Sequence, residues 1–410
     1  MKRYFKKLLQ QYYSFYLLPG SKILTLDSEN LTIPPAMDVP PDYILVNGAV
    51  HYSKDVQQFL DQLHAISNSR TRVVISYYNN LWRPAIQLAT SLGLRKKQPD
   101  ENWIAPSDIL NLLQLSHFEL ISNSQRILMP VPIPLISNLI NRWIAPLPFF
   151  NWFALVNIAV AKPIHEKPKT PPSVSVVVAA RNEAGNISAL FSRLPQMGSG
   201  TELIIIEGGS SDGTWEEIQR VKSKYEGKID CSIAKQEGKG KGDAVRKGFA
   251  MAKNDVLMIL DADLTVPPEE LPKFFQALAG GKGDFINGSR LVYPLESEAM
   301  RFFNIIGNKF FALAFSFLLG QDFKDTLCGT KVLYRKDYEK IANNRNFFGE
   351  FDPFGDFDLL FGAARTGLKI IELPIRYRNR VYGETNIQRW RHGVILLRMV
   401  IFAARKIKFI

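Results

Sequence analysis

Two carboxylates one residue apart, Asp261 and Asp263, close a run of five apolar residues from Val256 to Leu260. The run reads as a buried strand of a parallel sheet. Side chains on an extended chain alternate faces with period two, so both acids can point the same way. Two carboxylates converging past such a strand suit a hard divalent cation, and open α/β sheets place their ligands there. On this stretch alone, a solvated acidic turn would read the same.

The elements that must position these acids form strand-then-helix units. Val174–Val178 reads as a strand, followed by Arg181-Asn-Glu183 and a helix from about Asn186 to Leu194. Thr201–Ile206 is the next strand and opens into Glu207-Gly-Gly-Ser-Ser-Asp-Gly-Thr214, then a helix from Trp215 to about Tyr225. Asp230–Lys235 is a third strand, and Gly238-Lys-Gly-Lys-Gly242 precedes a helix spanning Ala244–Ala252. Repeated units of this length imply an α/β fold, a mostly parallel sheet with helices on both faces. Glycines in the second loop permit close approach of a ligand, and Asp212 is an acceptor for ribose or base groups. Lys239 and Lys241, alternating with glycines before a helix, suit phosphate. Asp284–Gly288 reads as a further strand leading to Arg290, and Phe354–Leu360 begins a helix carrying Asp356 and Asp358.

The chain of 410 residues has room for two domains, and its 46% apolar content argues against long disorder. Its net charge of +12 points to an anionic partner. Nucleic acid is disfavoured because no aromatic-interleaved basic groove is visible. The two cysteines, Cys231 and Cys328, have no metal-like spacing and fit a reduced, cytoplasmic compartment. Phe15–Leu18 is too short for a signal-peptide core. Trp143–Ala161 and Phe302–Gly320 are both interrupted by polar residues or proline, so neither reads as a spanning helix. After Glu384 no acid remains, and Arg389, Arg391, Arg398, Arg405, Lys406 and Lys408 surround apolar runs. Residues 393–410 therefore read as a basic amphipathic helix, either lying on a membrane face or docking in the core.

Ahead of the repeated units, residues 1–162 open with an amphipathic helix carrying Phe5, Leu8, Leu9, Tyr12, Tyr13 and Tyr16. Strands follow at Ser21–Leu26, Asp42–Val46 and Arg72–Ser76, with helices at Asp55–Ile66, Trp82–Leu94 and Ser107–Leu115. Phe118–Asn123, Gln125–Met129 and Phe153–Ala161 are expected as closing strands. Asp42-Tyr-Ile-Leu-Val, Arg72-Val-Val-Ile-Ser and the proline-rich Met129–Pro134 give this region a resemblance to part of a class I S-adenosylmethionine-dependent methyltransferase. Such enzymes need a glycine-rich turn after the first strand, whereas this chain has Asp27-Ser-Glu-Asn30. The expectation is a truncated, non-methylating, partial Rossmann-like domain. Pro163–Pro172, rich in proline and charge, reads as a linker.

Residues 173–392 resemble family 2 glycosyltransferases of the GT-A fold. Val174–Glu183, Glu207–Thr214, Gly238–Gly248, Asp261-Ala-Asp263 and Gly288-Ser-Arg290 carry the resemblance. Asn304–Asn308, Asp325–Lys331 and Arg380–Asn386 make it similar to dolichol- and polyprenyl-phosphate mannosyl- and glucosyltransferases. The resemblance implies a UDP- or GDP-linked sugar donor held by Arg181, Glu183, Glu207, Asp212, Lys239, Lys241 and Asp261. It implies a Mg²⁺ or Mn²⁺ cofactor on Asp261 and Asp263, with inverting transfer to a membrane lipid such as polyprenyl phosphate. Arg290, Arg380, Asp356 and Asp358 are the candidate catalytic residues, and the protein is expected at the cytoplasmic membrane face. Two departures stand out: Glu207-Gly208 replaces the paired aspartates of many members, and Thr265 replaces a common glutamine. Transfer to a hydroxyl acceptor in glycan or glycolipid synthesis, and a non-catalytic scaffold, are the alternatives.

Overall fold

The computed structural model describes residues 2–94, 101–165, 170–293, 302–348, 355–383 and 389–410, without the side chains of 2, 302–305 and 389–392. The expected linker at 163–172 and the motif at 380–386 thus lie partly outside the described residues. Two compact units emerge, Met1–Glu166 with Ala404–Ile410, and Lys167–Ala403.

The first unit holds a five-stranded sheet: β1 (Ile23–Asp27), β2 (Tyr43–Asn47), β3 (Arg72–Tyr78), β4 (Phe118–Arg126) and β5 (Val156–Pro163), in the order β1-β2-β3-β5-β4. The first three pair in parallel, and β5 runs antiparallel to both β3 and β4. Ile44, Val46, Val73 and Ile75 pack against Leu60 and Leu113 on one side. The helix Lys2–Tyr16 places Leu9, Tyr12 and Tyr13 against Val74 and Ile158 on the other. Where two strands were expected after Phe118, there is one, whose register shifts between Leu120 and Ser122. An edge strand tolerates polar residues and a bulge, so Asn123 and Ser124 continue it instead of ending it.

The second unit is α/β with a mostly parallel sheet. Its strands are β6 (Val174–Ala180), β7 (Thr201–Glu207), β8 (Asp230–Lys235), β9 (Val256–Ile259), β10 (Phe285–Ser289), β11 (Lys331–Tyr334) and β12 (Ile370–Pro374), in the order β12-β10-β11-β9-β6-β7-β8. The β6 and β7 runs of Val and Ile are almost wholly buried, as a central parallel strand requires. Only β11 opposes its neighbours. This one reversal matters for the site. Every parallel strand delivers the loop that follows it to the same end of the sheet, whereas β11 delivers there the segment that precedes it, Asp325–Thr330.

Candidate active site

The carboxylates of Asp261 and Asp263 meet here by a route different from strand alternation. The strand β9 stops at Ile259, and a turn follows in which Leu264 N donates to Asp261 O at 3.2 Å with Leu264 at φ 52°. Asp261 accepts from Lys241 Nζ at 2.5 Å, while Asp263 accepts from Arg380 Nη2 at 2.6 Å. Thr265, expected as a weak substitute ligand, orients Asp263 instead: its hydroxyl donates to Oδ1 at 2.8 Å and its N–H at 3.1 Å. The second oxygen of Asp261 faces Gly329, where a Cβ would collide with that oxygen and with Lys241 Nζ. Only glycine leaves this space open.

Lys241 reaches Asp261 because its helix begins earlier than expected. The helix spans Lys241–Met251, with Gly240 at φ 86° before it. Burial works against the Lys241 charge, but Asp261, Asp356 and Asp263 outweigh it and raise its pKa. Burial likewise opposes ionisation of Asp261, and Lys241, Lys331 and Arg290 overcome this to lower its pKa. Opposite charges within a few ångström thus keep both partners ionised. Lys239, two residues earlier, is exposed on the same loop.

Arg380 spans two loops. Its Nη1 donates to Glu183 Oε1 at 2.9 Å while Nη2 holds Asp263. Glu183 is buried and also accepts from Asn186 Nδ2 at 2.7 Å; burial raises its pKa despite Arg380 and Asn186. Glu207 is buried at the end of β7, accepting from Ser210 N at 2.5 Å. Asp212 accepts from Ala184 N, Thr214 N and the hydroxyls of Thr214 and Tyr382, stitching the loops after β6 and β7 together. Burial pulls its pKa up, and these donors bring it below the ordinary value. Arg181 is exposed on the first of these loops.

Sequence reasoning quoted Asp325–Lys331 but assigned those residues no role. Asp325 is fully buried and takes both Nε and Nη2 of Arg290, at 2.7 and 2.8 Å, together with Arg290 N at 3.0 Å. Asn308 Nδ2 and Leu327 N also donate to it. Burial alone would raise its pKa, yet Arg290 and Asn308 hold it down at about 2. Arg290 is therefore clamped, with Tyr377 stacked 5.3 Å from its guanidinium. Lys331, also fully buried, donates to Cys328 O and to Asp356 Oδ1, the latter at 2.7 Å. For Lys331 the signal was a charge opening the apolar run Val332–Tyr334, which requires a buried partner; Asp325, inside the mostly polar run Gln321–Thr326, carried no such signal.

Asp356 and Asp358 do not act as a pair. Both lie in the first turn of the helix Asp356–Arg365, but positions two apart on a helix point to different sides. Asp356 turns to Lys331 on the side of Lys241, whereas Asp358 accepts from Arg345 Nε at 2.8 Å. Neither caps the helix; Gly355 stands at that position with φ 77°, its missing side chain allowing contact with Gly242. The described residues contain no cluster of three or more His, Cys, Asp or Glu able to hold a metal. No helix among them is long and apolar enough to cross a membrane.

Comparison with known proteins places the second unit among sugar transferases by sequence similarity. Residues 175–342 match the sequence model of glycosyl transferase family 2. Dolichol-phosphate mannosyltransferase of Pyrococcus furiosus is 32% identical over 221 residues, 52% of this chain and 59% of that protein. Dolichyl-phosphate hexose transferase of Haloferax volcanii is 29% identical over 228 residues, 56% of this chain and 92% of that protein. Undecaprenyl-phosphate 4-deoxy-4-formamido-L-arabinose transferase of Edwardsiella ictaluri is 34% identical over 223 residues, 53% of this chain and 63% of that protein. The chain thus spans less than two thirds of the first and third of these relatives. The matched segment runs from β6 to the helix after β11 and contains Asp261, Asp263, Lys241, Arg290, Asp325 and Lys331. Within its second unit the chain thus carries a segment similar to glycosyl transferase family 2, and its relatives include polyprenyl-phosphate sugar transferases.

Proposed function

We propose that the second unit is a metal-dependent, inverting glycosyltransferase moving a sugar from a UDP- or GDP-linked donor to a polyprenyl phosphate at a membrane face. The observation that carries this reading is the pair Asp261 and Asp263, each held by a cation from another loop, at the shared ends of parallel strands. Two carboxylates are hard oxygen donors that suit Mg²⁺ or Mn²⁺, with remaining coordination supplied by diphosphate and water. The opening at Gly329 is in keeping with a ligand beside Asp261. A divalent ion held there supplies positive charge as the sugar–phosphate bond breaks.

The chain's own groups do the rest. Lys241 and Lys239, at a helix N-terminus, take the departing diphosphate, and Glu183, Glu207, Asp212 and Arg181 shape the nucleotide end. Arg380, bound to Glu183 and Asp263, ties the donor loops together. Arg290 presents Nη1, the corner of its guanidinium that Asp325 does not engage. Asp356 is paired with buried Lys331 and Asp358 with Arg345, so both carboxylates are committed to cations. That favours an acceptor needing no strong base. A phosphate monoester, with a second pKa of about 6, is mostly anionic at neutral pH. The names of the relatives, which include dolichyl- and undecaprenyl-phosphate transferases, agree.

Transfer to hydroxyl acceptors would instead require Asp356 as base. A panel of nucleotide sugars with Mn²⁺, polyprenyl phosphate and hydroxyl acceptors separates the readings. Turnover confined to the lipid phosphate, and kept in Asp358→Asn, supports the first. Turnover on hydroxyls that vanishes in Asp356→Asn supports the second. In the first unit, Asp27 Oδ1 accepts from Glu29 N and Asn30 N, closing the turn where a cofactor would need open backbone; we read this unit as non-methylating.

A further inference from the structure

Residues 131–153 of the first unit turn the usual amphipathic order inside out. Two of their polar side chains, Ser137 and Asn141, point into the protein, while Asn138 is exposed. Ser137 is buried, donating to Val131 O and accepting from Ile133 N. Asn141 is buried too; its Oδ1 accepts from Leu128 N and Met129 N, and its Nδ2 donates to Met129 O. The large apolar side chains point outward. Leu135 is 89% exposed and Trp152 64%, and Leu139, Trp143, Phe149 and Phe153 are exposed as well. Leu135 and Phe149 adopt φ 62° and 71°, a region costly for side chains other than glycine, each at the residue just before a short helix. Monomeric proteins in water seldom expose so many contiguous large apolar groups.

Charge says what kind of surface would cover this face. The segment is flanked by two others of the same unit. Asn141 Nδ2 lies 3.2 Å from Tyr4 Oη, bringing the N-terminal helix with exposed Arg3, Lys6 and Lys7 alongside. Arg142 Nε donates to Phe409 O at 3.0 Å and Trp143 stacks on the Phe409 ring at 5.2 Å, bringing exposed Arg405 and Lys406. Across these three pieces the chain carries no acid: none in residues 1–26, none from 120 to 165, and none after Glu384. Exposed aromatic and aliphatic groups rimmed by cations alone match the interface of an anionic bilayer, where rings and aliphatics enter the acyl boundary and cations meet headgroups. A protein partner would leave this concentration of positive charge without reason.

We infer that residues 131–153, with the basic N-terminal helix and C-terminal tail beside them, form an in-plane docking surface for anionic lipid bilayers. The inference rests on the proposed membrane-lipid acceptor and assigns the contact to the first unit, not to the catalytic one. Tryptophan and phenylalanine at the headgroup level hold a protein at a fixed depth without spanning. A surface of this kind keeps the transferase where a long, insoluble acceptor presents its phosphate.

The test uses the full chain and vesicles of phosphatidylglycerol with phosphatidylcholine, against phosphatidylcholine alone. The expected result is co-sedimentation with the anionic vesicles, weakened by salt. Leu139→Ser with Trp152→Ser should lower the affinity at least tenfold, and Lys6→Glu with Lys406→Glu several-fold. Brominated lipids should quench tryptophan fluorescence in the wild type and much less in Trp152→Ser. Circular dichroism and thermal unfolding like those of the wild type report that the first unit of each variant is folded, and nucleotide-sugar binding by calorimetry that the catalytic unit is intact. Absence of binding to anionic vesicles overturns the inference. So does binding unchanged by the substitutions, or a dimer that the substitutions turn into a monomer without any vesicle binding. Failure of the functional reading looks different: no donor turnover, with the vesicle result standing.

Discussion

Both units place aspartate at or just past the C-terminal end of a parallel strand, with opposite fates. Asp27, closing β1, spends its carboxylate on the N–H groups of Glu29 and Asn30, two and three residues on. Asp261, after β9, takes Lys241 from 20 residues away, whereas Asp263 keeps one oxygen on its own turn, at Thr265, and gives the other to Arg380, 117 residues away. A carboxylate satisfied by its own turn has little left for a ligand. One satisfied by cations from other loops keeps groups that a metal and a diphosphate can take over. The glycines decide which happens. Gly329 and Gly355 allow neighbouring loops to close onto the second site, whereas the first turn has no glycine. A residue type at a strand end is therefore weak evidence of a site until the loops around it are known to converge.

The contrast can be broken most directly at the second site. Asp261→Asn or Asp263→Asn should lower kcat/KM for sugar transfer by about 10²–10³-fold, the scale of losing a main electrostatic group. Steady-state assays with Mn²⁺ measure this; activity within tenfold of wild type would remove the metal reading. Next in size is Asp325→Ala, which strands the Arg290 guanidinium in a buried site. It should destabilise the second unit by about 3–5 kcal/mol in denaturant unfolding. A loss below 1 kcal/mol would mean Arg290 finds water instead.

The pH dependence sharpens the same point. Asp325 is held at about 2 against an ordinary value of 3.8. Its stabilisation, roughly 2 kcal/mol by linkage, is present above 3.8 and lost as pH falls through about 2. Asp325→Asn should therefore differ most from wild type near neutrality, and the gap should close in acid. Glu183 has the opposite sign. Burial raises its pKa, so its contribution is fullest below the ordinary 4.5 and declines as pH rises past its folded value. Glu183→Gln should remove that decline, and urea titrations at several pH values would show it. The smallest effect belongs to the first unit. Asp27→Ala should cost about 1 kcal/mol, as loss of a local side-chain cap does, with transfer rate unchanged. A collapse of transfer on that substitution would overturn the division of labour between the units.

Much of this was legible in the residues. Runs of β-branched residues followed by glycine-rich loops announce parallel strands and their ligand-binding ends, because burial on both faces and close backbone approach demand those residue types. The α/β class, the positions of most strands and the choice of Asp261, Asp263 and Lys241 as candidates follow from such local patterns. What could not be read were the partners. Arg290 and Asp325, Lys331 and Asp356, and Arg380 and Asp263 are pairs distant in sequence, and β11 is only four residues long. Local pattern carries no information about which charge meets which. The reversed strand that brings Asp325–Lys331 to the site, and the outward turn of Leu135 and Phe149, are decided only when the chain packs. Sequence specifies which groups need a partner or a surface; tertiary structure supplies it, because burial makes an unpaired charge too costly to leave and forces distant residues together.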